Sequence, residues 1–185
     1  MLIILSATAV NAQDNAININ GINFKIPDEY VGGDNLTDGY RYENIFSIRC
    51  IDDNIGNSIG LWAIEADYRN DLTISNHPVR HYCQYNRYVW DNHSHLYFAS
   101  GDSFYEISWV GDNITPEIKK LINNTPKSKI SGDAFNKTLD ESIDIYKQEK
   151  IDRLNSDSKY IYAKSDNNDD NSRFREILLT YYNNH

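Results

Sequence analysis

The sequence predicts an α+β fold: a single antiparallel sheet of about five to six strands with helices following on one side. Three observations lead there. Apolar residues recur at period two through the first two thirds of the chain. Short Asn-, Asp- and Gly-rich turns, not helices, separate most of those runs. After residue 115 the period lengthens to that of a helix.

The chain has 185 residues, enough for one core with appendages. Its 14 Tyr and 3 Trp supply large buried area per side chain. Twenty-seven acidic against 18 basic residues give a net charge of -9. A nucleic-acid binder needs clustered Lys and Arg to displace phosphate counterions, and the sequence holds no such cluster, so nucleic acid is not an expected partner. Residues 1–12, MLIILSATAVNA, read as a truncated signal peptide, with Val10 and Ala12 at the small-residue positions before a cleavage site. The other reading of this run is a first strand. It is too short to span a bilayer, and no later run reaches membrane length. Residues 13–130 form the expected sheet domain with its closing helix, and 131–185 a helical extension packed on it.

Asn15 to Ile26 alternates Ile17, Ile19, Ile22, Phe24 and Ile26, and reads as one strand bulged at Asn20-Gly21. Asp28 to Gly39 is a loop. Tyr40 to Ile51 puts Phe46, Ile48 and Cys50 on one face and Ser47 and Arg49 on the other. Ile59 to Tyr68 reads as the next strand, and Asn70 to Pro78 as a polar connection. From Val79 to Gly111 a three-stranded meander is expected, turning at Asp91-Asn92 and Gly101-Asp102. The first turn pairs Trp90 with His93, and the second pairs Phe98 with Tyr105. One face then carries Cys83, Tyr85, Val89, Leu96, Phe98, Tyr105, Ile107 and Trp109. The other carries Tyr82, Tyr88, Trp90, His93, His95, Tyr97 and Glu106.

Thr115-Pro116-Glu117 is a strong helix start: N-cap, proline at the first helical position, and an acid facing the dipole. Phe135, Leu139, Ile143 and Tyr146 mark a longer helix over Asp133 to Leu154. Ser158 to Ala163 reads as a short strand or extended arm. SDNNDDN at 165–171 is a polar loop, and Ser172 caps a last helix.

Four constellations bear on chemistry. His81-Tyr82-Cys83 and His93-Ser94-His95 each put two metal-ligand types on one strand face. The expected register sets Cys83 and His95 far apart and on different faces, so His93 and His95 alone remain as a metal candidate. Asp166-x-Asn168-x-Asp170 begins like a calcium loop, but Ile177 stands where the closing acid is needed; Asp52-Asp53-Asn54 has no loop pattern. No nucleophile motif or phosphate-binding glycine loop is present, so no catalytic residue and no cofactor is assigned. Tyr88, Trp90 and Tyr97 could form a stacking platform for sugars or a peptide, or a second core layer beneath the later helices. Cys50 and Cys83 are a candidate disulfide on the core side, or two buried thiols. The N-x-S/T sequons at Asn35, Asn92, Asn113, Asn123 and Asn136 agree with export.

INING-INFKIPDEY over Ile17 to Tyr30, after the leader ILSATAVNA, resembles small exported proteins of methanogenic archaea. The later hairpin and the helix ending at Asn124-Thr125-Pro126 extend the resemblance to about Ile130. It implies an extracytoplasmic location and carries no known activity. In layout, the F-x-I-P strand opening an antiparallel sheet is also similar to PsbP-like domains, an analogy only. The functional expectation is an exported or cell-surface domain, binding or structural rather than catalytic, with a cell-wall glycan or a surface protein as partner. Two alternatives stand: a hydrolase or metal-dependent enzyme using the His93/His95 face, and glycan binding through the aromatic face.

Overall fold

The computed structural model of the chain describes residues 15–86, 90–161 and 169–184. The expected leader, Arg87 to Val89 and most of the 165–171 loop lie outside them.

β1 (Ala16–Ile19) and β2 (Ile22–Lys25) form a separate two-stranded hairpin rather than the expected single bulged strand. Ile19 pairs with Ile22, leaving Asn20 and Gly21 as the turn, with φ of 50° and 80°. Two consecutive positive φ values make the tight hairpin turn whose twist matches the strands, and Asn-Gly adopts it at least cost.

The main sheet has seven strands, not five or six. They are β3 (Asp34–Asn35), β4 (Gly39–Tyr42), β5 (Phe46–Cys50), β6 (Tyr68–Ile74), β7 (His77–Asn86), β8 (Asp91–Ser100) and β9 (Ser103–Val110). Their order is β3-β4-β5-β9-β8-β7-β6, every neighbour antiparallel. β6 occupies the stretch expected to be a polar connection. It is an edge strand exposed along most of its length, so its sequence has no apolar alternation to show. Where a strand was expected over Ile59 to Tyr68, the chain instead forms helix α1 (Ile55–Glu65).

The β8–β9 register is as expected, with Phe98 opposite Tyr105. The β7–β8 register is not. Tyr82 pairs with His95 and Cys83 with Ser94, a slip of six from the expected pairing. An even slip preserves which face each residue points to, so the division of the meander into two faces holds for its described residues.

Both faces are covered, which corrects the expectation of helices on one side. The hairpin β1–β2 and helix α2 (Pro116–Asn123) close one face: Phe24, Ile118, Leu121 and Ile122 pack on Ile48, Leu96, Phe98, Tyr105, Ile107 and Trp109. Thr115 caps α2, its side chain accepting from the Ile118 N–H. α1 and α3 (Gly132–Ile161) close the other, where Ile59, Phe135, Leu139 and Ile143 cover Tyr82, Tyr97, Ala99 and Phe104. α3 runs on through the residues expected to be an arm, as far as Ile161, and α4 (Asp169–Asn184) begins before the expected cap at Ser172. Among the described residues no helix is long and apolar enough to cross a membrane.

α1 approaches α3 closely through two glycines four residues apart. A Cβ at Gly60 would collide with the Tyr146 ring, and one at Gly56 would sit 3.2 Å from the Ser142 carbonyl oxygen. The two positions share a helix face, so both glycines point at α3.

Candidate functional site

The polar residues of the α1/α3 face gather around Glu106. β9 places its carboxylate opposite Tyr97, and β5 places Arg49 opposite it on the other side. Glu106 is 2% exposed. Its Oε1 accepts from His95 Nδ1 at 2.8 Å and lies 3.1 Å from the Tyr97 hydroxyl. Its Oε2 accepts from Arg49 Nε at 2.7 Å and faces an Nη at 2.6 Å. Burial alone would raise the Glu106 pKa, but the His95 bond and the Arg49 charge more than reverse this and hold it below the ordinary carboxylate value. The Tyr97 hydroxyl is raised well above its usual value by burial and by the facing carboxylate. It also donates to the Ser58 carbonyl of α1 at 2.7 Å, which ties the helix to the network.

His95 lies beneath α1. The Trp62 ring stacks on it with centroids 3.6 Å apart and planes 19° from parallel. Half-buried His93 stacks on its other side at 5.0 Å. With Nδ1–H given to Glu106, the other ring nitrogen of His95, Nε2, is a buried atom without a hydrogen-bond partner. Burial, followed by the neighbouring His95, lowers the His93 pKa to about 4.

On the opposite face His81 stacks on Trp109 at 5.5 Å and its Nε2 lies 2.9 Å from the Ser94 hydroxyl. Ser94 gives its one hydrogen to the Gly111 carbonyl, so the histidine is the donor to Ser94. Burial, with His95 next, lowers the His81 pKa to about 4.

The structure thus separates several residues that the sequence grouped. Cys83 lies beside His95 in register but on the other face, so the wrong register was not what kept a joint metal site from forming; the face alternation does. His93 and His95 stack face to face, and among the described residues no group of three or more His, Cys, Asp or Glu is placed to hold a metal. Cys50 and Cys83 share the α2 face as expected, but both are free thiols. β9 and β8 separate their strands, a span of roughly 14 Å at the usual strand spacing, so they cannot bridge. Asp52 accepts from the Phe104 N–H at 2.6 Å and from the Cys50 thiol at 3.4 Å, which commits both its oxygens within the protein.

The expected aromatic platform of Tyr88, Trp90 and Tyr97 does not assemble. Tyr97 is fully buried under α1 and α3, and Tyr88 lies outside the described residues. Trp90 stands at the tip of the β7–β8 hairpin, 81% exposed. The same end of the sheet displays Tyr85 and Tyr68, 48% and 50% exposed, on β7 and on the edge strand β6. Tyr68 sits opposite Cys83 and Tyr85 two positions on, so they share a face. Asp67, which accepts from the Tyr85 N–H, and Asn92, opposite Tyr85, add polar groups beside them.

Arg49, Ser58 and Trp62 had no functional reading in the sequence, Trp62 because Ile59 to Tyr68 read as a strand where α1 forms. Glu106 was legible in part. The Gly101-Asp102 turn already sets it opposite Tyr97, the sign of a buried acid meeting a phenol. Comparison with protein-family models, curated proteins and solved structures returns no match to this chain.

Proposed function

We propose that the protein is an exported binding module rather than an enzyme, and that it holds a glycan chain on the aromatic end of its sheet. The observation that carries this reading is Trp90, a large ring 81% exposed at a hairpin tip, with Tyr85 and Tyr68 beside it. Exposed aromatic rings offer flat apolar faces to the C–H side of sugars, while Asp67 and Asn92 supply hydrogen bonds to hydroxyls. The backbone at Trp90 has φ of 55°, an uncommon conformation for a bulky residue. The leader-like residues 1–12 and the resemblance to exported archaeal proteins support a location outside the cytoplasm.

The rival reading, a hydrolase or metal-dependent enzyme, rests on His95 oriented by Glu106, as a general base is oriented. Against it, the His95 nitrogen that would act is buried under Trp62, and the Glu106 carboxylate is shared with Arg49 and Tyr97. The test of the preferred reading is titration with soluble cell-wall polysaccharide followed by tryptophan fluorescence. Saturable change is expected in the wild type and none in Trp90→Ala. Fractionation of the producing cells tests location: protein recovered in the cytosol with Met1 intact would overturn export.

A further inference from the structure

At the far end of the sheet from Trp90 lies a cleft of about 410 Å³ that neither the aromatic end nor the helices above His95 account for. Four segments converge there: the tip of the β1–β2 hairpin at Asn20, the β3–β4 turn at Thr37 and Asp38, the end of β5 at Arg49, and the residues from Asp52 to Ser58 that lead into α1. Asn20 bonds the Ser103 hydroxyl at 3.0 Å, which ties the hairpin tip to the sheet.

The donors of this cleft are held but not used up. Glu106 takes Arg49 Nε and one Nη, and the other Nη has no hydrogen bond among the described residues. The Arg49 side chain is 40% exposed. Ser58 is only 4% exposed; its carbonyl receives Tyr97, yet its hydroxyl has no partner among the described residues. Ser58 lines the cleft, and a hydroxyl without a protein partner at such a wall is met by water or a ligand. Asn54, at the N-cap of α1, makes no side-chain capping bond and instead accepts from Asn57 at 2.7 Å.

The charge of the lining narrows the ligand. Asp38, Asp52 and Asp53 stand in the same cleft, and Arg49 is already neutralised from behind by Glu106. A free anion meets three carboxylates against one shared guanidinium. A bare cation meets that guanidinium and the positive end of α1. A neutral molecule carrying hydroxyl groups satisfies both sets, accepting from Arg49 and Ser58 and donating to Asp38 and Asp53.

We propose that this cleft binds a neutral polyhydroxy ligand, a mono- or disaccharide unit, between Arg49 and Ser58 as donors and Asp38 and Asp53 as acceptors. The buried network of His95, Tyr97 and Glu106 positions Arg49 for it. This site is distinct from the aromatic end and stands whether or not that end binds glycan.

The test is an NMR titration of the full chain with glucose, galactose and N-acetylglucosamine, each up to about 0.1 M, a range that reaches millimolar affinities. Saturable shifts are expected at the Arg49 Nε and Ser58 amide signals for at least one sugar. Arg49→Met is expected to weaken binding at least about ten-fold, through a lost charged hydrogen bond. Ser58→Ala, which suits a helix and leaves the fold intact, is expected to weaken it several-fold. Trp90→Ala is expected to leave it unchanged. No saturable shift at these signals with any sugar overturns the proposal. So does equal binding by Ser58→Ala, or a response to inorganic phosphate or calcium alone.

Discussion

Glu106 is the residue on which the α1/α3 face depends. A buried carboxylate is stabilised only by its partners, and here Arg49 of β5 and His95 and Tyr97 of β8 supply them. Glu106→Gln keeps the shape but gives up the charge-assisted bonds to Arg49 and His95, and since the Arg49 side chain is 40% exposed the expected cost in urea unfolding is about 1–2 kcal/mol. The two histidines with lowered pKa predict an acid response. Above pH 6.5 both are neutral whether folded or not. Below it the unfolded chain takes up protons that the folded chain refuses until about pH 4, so stability falls as pH drops through that window. Glu106, held low, adds its own loss further down. His81→Gln is therefore expected to show a shallower fall in Tm between pH 6.5 and 4 than the wild type. An unchanged slope would remove His81 from the account.

At the scale of elements, α1 shows why part of the fold was hidden. Trp62, Ile64 and Ala66 alternate like a strand, and Gly56 and Gly60 argue against a helix by propensity. Both features come from tertiary context: the glycines admit α3, and Ile55, Ile59, Trp62 and Ala63 form the helical stripe that packs on the sheet. Gly60→Ala, which raises helix propensity, is accordingly expected to destabilise by about 1–3 kcal/mol, because the methyl group meets the Tyr146 ring. By contrast α2 was legible to the residue, since Thr115, Pro116 and Glu117 encode its start locally. The β7–β8 slip has a similar cause. Asp91-Asn92 has turn chemistry, but long-range pairing draws both residues into β8. Face alternation survived the slip because it depends on parity, not on register.

Across the whole molecule, the sheet divides its labour between its two faces and its two ends. Both faces are core, one closed by α2 and the first hairpin and the other by α1 and α3. That closure makes Tyr82 and Tyr97 the second core layer that the sequence offered as the alternative to an open platform, with α1, concealed in the sequence, covering it beside α3. What stays open is the end bearing Trp90, Tyr85 and Tyr68, and the cleft around Arg49 at the other. Trp90 packs against little, so Trp90→Ala is expected to change unfolding free energy by less than about 0.5 kcal/mol, and any effect it has on binding is a direct one. The measurement that bears most directly on the central claim is affinity electrophoresis through a gel containing cell-wall polysaccharide. The account predicts that the wild type is retarded while Trp90→Ala migrates as in a gel without polysaccharide; equal migration of the two proteins would contradict it.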